Sequence, residues 1–318
     1  MRYEEYEASA AAPNVVVDGS PNAGTVLCLS HWPGMDSPAD LADDLSAQIA
    51  FRYVESGMGR HGDAEVVTNN HFDQDGLAGV FALAEPDVAM RHRALLEDLA
   101  AAGDFGTYRE RRAARMSAVV SVWALGADGR DPYPDALARL PHVIEHLEDY
   151  RDLWIGEDER LTASEDAVEA GRVVIADEPD LDIAVVTVDP DLPATWGHRF
   201  TGQRYDGVHP MALHNATDMS GIALLHGARY RYTDRYETWV QYRSRPRRMR
   251  VALLPLARRL TEADDVRWRA DAAGALAPTL SHEGESSLTP ATFLTALRDH
   301  LRTAEPAWDP AVGRRAPG

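Results

Sequence analysis

Ala64-Glu65-Val66-Val67-Thr68-Asn69-Asn70-His71-Phe72-Asp73-Gln74-Asp75-Gly76, followed by the apolar run Leu77 to Leu83, is the stretch on which the fold turns. Ala64 to Thr68 predicts a short strand. The polar segment after it ends in glycine, and Leu77 to Leu83 predicts a buried helix. Strand, polar turn and helix make the βα unit of a mostly parallel sheet. In such sheets, sites gather at the carboxyl ends of the strands. Upstream, Asn14 to Asp18 predicts a buried strand ending in an acid. A turn at Gly19 to Gly24 and a strand over Thr25 to Ser30 follow. That strand runs into the loop His31-Trp32-Pro33-Gly34. Ser37-Pro38-Ala39-Asp40 has the form of a helix start, with a serine cap, proline at the first position and an acid in the first turn. The helix is expected to run to about Ser56.

Downstream, helices are expected over Ala89–Ala102, Arg109–Trp123, Tyr133–Leu147 and Leu161–Ala170, a helical insert after the first βα units. Val173 to Ile175 and Leu181 to Val188 predict strands, with a domain boundary at the Pro/Asp-rich Asp177-Glu178-Pro179-Asp180 between them. Ile222 to Leu225, Ala228 to Tyr232 and Tyr236 to Tyr242 predict a meander of short strands. Val251 to Arg259 and Thr289 to Leu301 predict helices. The expected class is therefore α/β: a mostly parallel sheet domain with a helical insert over 1–176, a smaller C-terminal α+β domain over 181–302, and a disordered Pro/Ala-rich tail over 303–318.

Composition narrows the chemistry. The 318 residues are 45 % hydrophobic, enough for a sizeable core. A single cysteine, Cys28, excludes an internal disulfide and fits a reducing compartment. Met1 to Ala12 lacks the basic and apolar regions of a signal peptide, and no apolar run reaches the roughly 18 residues of a membrane helix. A cytoplasmic protein is expected. The formal net charge is −19 and every base is arginine, so a Schiff-base lysine is excluded. An acidic surface repels nucleic-acid backbones, which favours a small phosphorylated substrate over a long polymer. A homodimer remains open. There is no GxGxxG, Walker loop, GxSxG, CxxC or HExxH pattern.

His71, Asp73 and Asp75 alternate, so an extended strand end would turn them to one face. One imidazole and two hard carboxylates suit Mn²⁺, Mg²⁺ or another first-row ion. The competing interpretation is a solvated turn in which Asp and Gly are turn formers.

His71-x-Asp73-x-Asp75-Gly76, leading into a small, apolar helix, resembles the first motif of the DHH phosphoesterase superfamily. The resemblance implies an α/β domain with two Mn²⁺ or Mg²⁺ ions, a further domain for substrate contacts, and hydrolysis of a phosphoester. No Asp-His-His triplet occurs. Ser30-His31-Trp32 stands in its setting, after an apolar strand, but precedes the first motif instead of following it. The resemblance implies that His31, Asp104 in Gly103-Asp104-Phe105, and Asp18 complete the metal set. The family's Gly-Gly-His is absent, while Asp271-Ala272-Ala273-Gly274-Ala275 is similar to its Ala-Ala-Gly.

Two further segments are candidates for substrate contacts. His209, His214 and Asn215 lie in one polar stretch, which otherwise reads as a surface loop. Arg243 and Arg245 begin the only dense basic run, and would share a face in a strand. Arginine binds phosphate bidentately, yet a charge-protected edge strand has the same composition. Three functions follow: hydrolysis of a phosphoester in a small nucleotide or short oligonucleotide, a non-catalytic nucleotide- or metal-binding sensor of the same fold, and a metal-dependent hydrolase of another ester or an amide.

Overall fold

Val15, Val16 and Val17 have no solvent exposure, as β-branched residues must in a strand covered on both faces. They form β2 (Asn14–Val17), an inner strand of a four-stranded sheet with β1 (Arg2–Tyr3), β3 (Thr25–Leu29) and β4 (Val66–Thr68). The order is β1-β4-β2-β3 and every pairing is parallel. The computed structural model describes all residues except 36, 193–195, 198–203 and 314–318. The protein is mixed α/β and divides into two units, Met1–Glu159 with Val240–Pro246, and Arg160–Trp239 with Arg247–Gly318.

In the first unit a short α1 (Tyr6–Ser9) follows β1. The central helix is α3 (Gln74–Ala84), buried from Gln74 to Leu83. It is apolar all round because it packs on the sheet and on α2 (Ser46–Glu55) at once. A Cβ on Gly79 would fall 2.5 Å from Val17 Cγ1, so glycine permits the close approach of α3 to β2. The helix expected from Ser37 begins only at Ser46. Ser37 Oγ instead donates to Ser30 O at 2.7 Å and accepts from Ser30 N at 2.8 Å, closing the loop after β3. The expected helix Ala89–Ala102 is broken at His92 into α4 (Pro86–Arg91) and α5 (Arg93–Asp104). α6 (Arg111–Gly126), α7 (Tyr133–Glu145) and α8 (Arg151–Glu169) complete the helical set.

The second unit holds a six-stranded sheet in the order β12-β13-β10-β9-β6-β5. Its strands are β5 (Val173–Glu178), β6 (Ile183–Val188), β9 (Gly221–His226), β10 (Arg229–Asp234), β12 (Trp268–Ala270) and β13 (Thr279–His282), and only β6 and β9 run parallel. The minor strand pairs are β7 (Trp196–Gly197) with β8 (Arg204–Tyr205), and β11 (Arg250–Val251) with β14 (Pro306–Trp308). Helices α9 (Pro210–Ala216), α10 (Leu254–Ala263) and α11 (Pro290–Thr303) complete it. Leu256, Leu260, Phe293 and Leu297 pack with Ile183, Ala223 and Tyr232 into one core.

Three expectations change here. β5 and β6 pair antiparallel, so Asp177 and Glu178 end a strand and Pro179 and Asp180 begin its hairpin turn, in place of a domain boundary. Tyr236 to Thr238 is a 3-10 turn and not a strand. The expected disordered tail begins inside α11 and continues into β14, because the Trp308 ring lies against Gly274 and Arg250 pairs with Trp308 in the ladder; its residues 314–318 lie outside the described residues.

Candidate metal centre

Asp18 follows β2 with φ at 51°, a left-handed conformation that costs a non-glycine residue about 1–2 kcal/mol. The strain aims a fully buried carboxylate off the carboxyl end of the strand. Ser46 Oγ donates to Oδ1 at 2.8 Å, while Oδ2 makes no well-formed hydrogen bond. Burial opposes the charge on Asp18, but His71 outweighs it and holds the carboxyl below its ordinary range.

His31 follows β3. Its Nδ1 lies 2.6 Å from the Asp44 carbonyl oxygen. A carbonyl only accepts, so Nδ1 carries the proton. Burial pushes the imidazole below its ordinary range, which favours the neutral ring. Nε2 then presents a lone pair, 3.4 Å from Asp104 Oδ2, 3.5 Å from Asp18 Oδ1 and 3.7 Å from Asp75 Oδ2. A lone pair facing three carboxylates is repulsive unless a cation sits among them. The carbonyl on the far nitrogen is the usual orienting partner of a metal-binding imidazole.

The motif residues arrive by helix capping and not by strand alternation. β4 ends at Thr68, and Asp73 is the N-cap of α3, its Oδ1 accepting from Gly76 N at 2.8 Å. That leaves Oδ2 2.8 Å from His71 Nε2, which is also 3.3 Å from Asp18 Oδ2. Burial opposes the His71 charge, yet Asp73 and Asp18 hold its pKa well above the ordinary value. Asp75 lies in the first turn of α3 and accepts from Ser46 N at 2.8 Å and Ala47 N at 2.7 Å, two amides at the start of α2. Burial and then repulsion from Asp18 and Asp73 push its carboxyl well above the ordinary range.

All six side chains expected to bind metal meet in the first unit. Two groups have ligand atoms within 4.8 Å of one another, Asp18–His31–Asp75 and Asp18–His71–Asp73, with Asp18 common to both. Asp104, at the end of α5, adds a carboxylate beside the first group. Imidazole nitrogen with hard oxygen suits first-row and alkaline-earth divalent ions. Four carboxylates offset the formal charge of two such ions. The first group is wholly buried, whereas the His71 side chain is 31 % exposed.

The other candidates fall elsewhere. Arg243 and Arg245 lie in Val240–Pro246, which belongs to the first unit and has no strand, so the expected alternation does not exist. Gln241 N donates to His31 O at 2.8 Å, and Arg243 N and Ser244 N both donate to Asp44 Oδ1. Arg245 stands over the Tyr242 ring. His209, His214 and Asn215 are in the second unit, on a helix instead of a surface loop. His209 is the N-cap of α9, its Nδ1 accepting from Met211 N, and buried His214 lies 3.0 Å from Tyr205 Oη. Sequence reasoning missed Asp44 and Ser46, which orient the ligands. It also missed Asn69, whose Oδ1 accepts from His71 N at 3.0 Å.

The chain belongs to a family of unknown function, DUF6687, matched over residues 1–312. No curated protein and no solved structure matches it.

Proposed function

We propose that the protein is a metal-dependent hydrolase of a phosphoester in a small nucleotide or short oligonucleotide, with a centre of the DHH phosphoesterase kind. The observation that carries this is the pair of three-ligand groups sharing Asp18, with the His31 lone pair facing carboxylates. Divalent ions held there would supply paired Lewis acids for a phosphoryl group and lower the pKa of a bound water. Mn²⁺ or Mg²⁺ fits the donor set. Asp18, His31, Asp75 and Asp104 would hold the inner ion, and Asp18, His71 and Asp73 the outer.

The remaining roles belong to the chain. Ser46 and the first amides of α2 fix Asp18 and Asp75. Asp44 fixes the His31 tautomer. Partial exposure of His71 makes the outer group the side that substrate reaches. We assign to Arg243 and Arg245 the attraction of a phosphate, since arginine binds it bidentately. The first unit is assigned as the DHH-like metal domain, and the second as an α+β domain. In the described residues no helix is long and apolar enough to cross a membrane, which supports a cytoplasmic setting.

One observation favours a second function. The inner group is fully buried, as a resident ion in a non-catalytic sensor would require. Metal content and turnover separate the two. The protein and its Asp18→Asn variant are purified without chelator, ions are counted by elemental analysis, and both are tested with Mn²⁺ on an aryl phosphodiester, cyclic dinucleotides, short oligonucleotides and an aryl carboxylic ester. Two ions per chain and phosphodiester turnover, both lost in the variant, support the hydrolase. One ion without turnover supports the sensor. Turnover of the carboxylic ester alone supports a different hydrolase, and a metal-free wild type sinks the metal centre.

A further inference from the structure

One short segment fastens the loop that carries His31. Val240–Pro246 belongs to the first unit, although the chain on either side of it belongs to the second. Gln241 N donates to His31 O at 2.8 Å. Gln241 Nε2 donates to Trp32 O at 2.8 Å, and its Oε1 accepts from Arg243 Nη2 at 3.1 Å, which fixes the orientation of the amide. Arg243 N and Ser244 N donate to Asp44 Oδ1 at 2.5 and 2.9 Å. The Tyr242 ring meets Phe105 edge-on with centroids 5.3 Å apart, and the Phe105 centroid is 6.3 Å from that of His31.

Asp44 joins these contacts to a metal ligand. Its carboxylate accepts the two backbone amides, and its backbone oxygen accepts from His31 Nδ1 at 2.6 Å. Hydrogen bonds to a carboxylate are stronger than those to a neutral acceptor. Parting the segment from Asp44 would therefore loosen the partner that orients His31. The two metal groups also differ in access. The side chains of Asp18, His31 and Asp75 are at most 1 % exposed, whereas that of His71 is 31 % exposed. An ion in the outer group meets solvent at His71. An ion in the inner group leaves only when its cover moves, and on the His31 side that cover is Phe105 with Tyr242 upon it. A cavity of about 210 Å³ lined by Asp44, Gln48, Phe105 and Tyr242 adjoins the clasp and gives it room to open.

We infer that Val240–Pro246 is a strap that gates the inner metal group, with Asp44 and Gln241 as positioning residues for His31. The inference rests on the metal centre proposed above and on no particular substrate. It gives the two ions different exchange. The outer ion equilibrates freely, and the inner ion stays until the strap and Asp44 part.

The protein is loaded with Mn²⁺, freed of excess ion and challenged with EDTA, and the manganese left on the chain is counted over time by elemental analysis. Wild type should lose one ion quickly and one slowly. Asp44→Ala should speed the slow phase by at least about tenfold, the size of one lost hydrogen bond to a charged group, and leave the fast phase unchanged. Asp44→Asn keeps an acceptor oxygen for the strap amides and should restore most of the slow phase. Gln241→Ala leaves Asp44 intact and should also speed the slow phase, so the outcome does not hang on whether Asp44→Ala folds. A single fast phase in wild type would overturn the strap while leaving the metal hydrolase standing. A wild-type slow phase in Gln241→Ala and in folded Asp44→Ala would overturn it as well. Equal acceleration in Asp44→Asn and Asp44→Ala would overturn it too, by making the charge of Asp44 and not the clasp the retaining force. Two phases without phosphodiester turnover would sink the hydrolase alone, and a wild type without metal would overturn both proposals together.

Discussion

A Cβ at residue 76 would sit 2.3 Å from Asn69 Nδ2 and 2.6 Å from Tyr133 Oη, well inside contact distance. The crowding, and not a turn, makes glycine necessary there. Gly76→Ala should displace both side chains and tilt the start of α3. The expected cost is about 1–3 kcal/mol, as for overpacking elsewhere, read as a lower urea midpoint, with weaker Mn²⁺ retention. A midpoint equal to wild type would mean that Asn69 and Tyr133 yield freely. The same residues give a pH dependence. Without metal, His71 and Asp75 have raised pKa values, while His31 and Asp18 have lowered ones. Above about pH 6.5, the unfolded value of histidine, the lowered groups have the same charge folded and unfolded. Only the raised groups still titrate, and each loses its contribution as pH climbs through its folded pKa. Chelated protein should therefore lose stability from about pH 6.5 upward, where an ordinary globular protein is still near its maximum. Saturating Mn²⁺ should abolish the loss, because the ion binds the deprotonated forms. Urea midpoints measured with chelator and with Mn²⁺ check this, and parallel profiles would count against metal at these side chains.

At the scale of elements, capping explains what could be read from the sequence and what could not. Asp18, His31, Asp73, Asp75 and Asp104 stand where strands end or helices begin and end, and those places are visible in polarity patterns. The route by which Asp73 and Asp75 converge was not visible, since Asp73 spends Oδ1 on Gly76 N, starts α3, and so ends the extended backbone that alternation requires. Ser37 resembles a cap but spends its hydroxyl on Ser30, two strand-end groups that only the folded loop brings together. The division inside α8 had no signal either, because one helix runs through it. Asp98 offers a test of capping away from the metals. Buried on α5, it accepts from Arg109 N and Glu110 N, each at 2.8 Å, and so anchors the approach to α6. Asp98→Ala strands two amides and should cost about 2–6 kcal/mol, at 1–3 kcal/mol for each unmatched group. Metal content of the folded variant should match wild type. A loss of metal at full stability would place Asp98 in the centre instead.

For the whole molecule, charge decides how a substrate arrives. The net charge of −19 is spread over a chain with 32 basic residues against 51 acidic ones, so an anionic substrate approaches against a repulsive field. Arg243, exposed, and Arg245, half-buried over the Tyr242 ring, sit in the segment that holds Asp44 and the His31 loop. Their attraction is short-ranged, whereas the net charge acts at longer distance. Salt screens the longer interaction first, with a Debye length near 10 Å at about 0.1 M. For an anionic phosphodiester, kcat/KM should therefore rise severalfold between roughly 20 and 200 mM salt, through faster association. An uncharged ester should show no such rise. A fall in kcat/KM over the same range would mean that the arginines dominate the encounter. Arg243→Ala with Arg245→Ala should then flatten the dependence, whereas with the net charge in control it should steepen the rise.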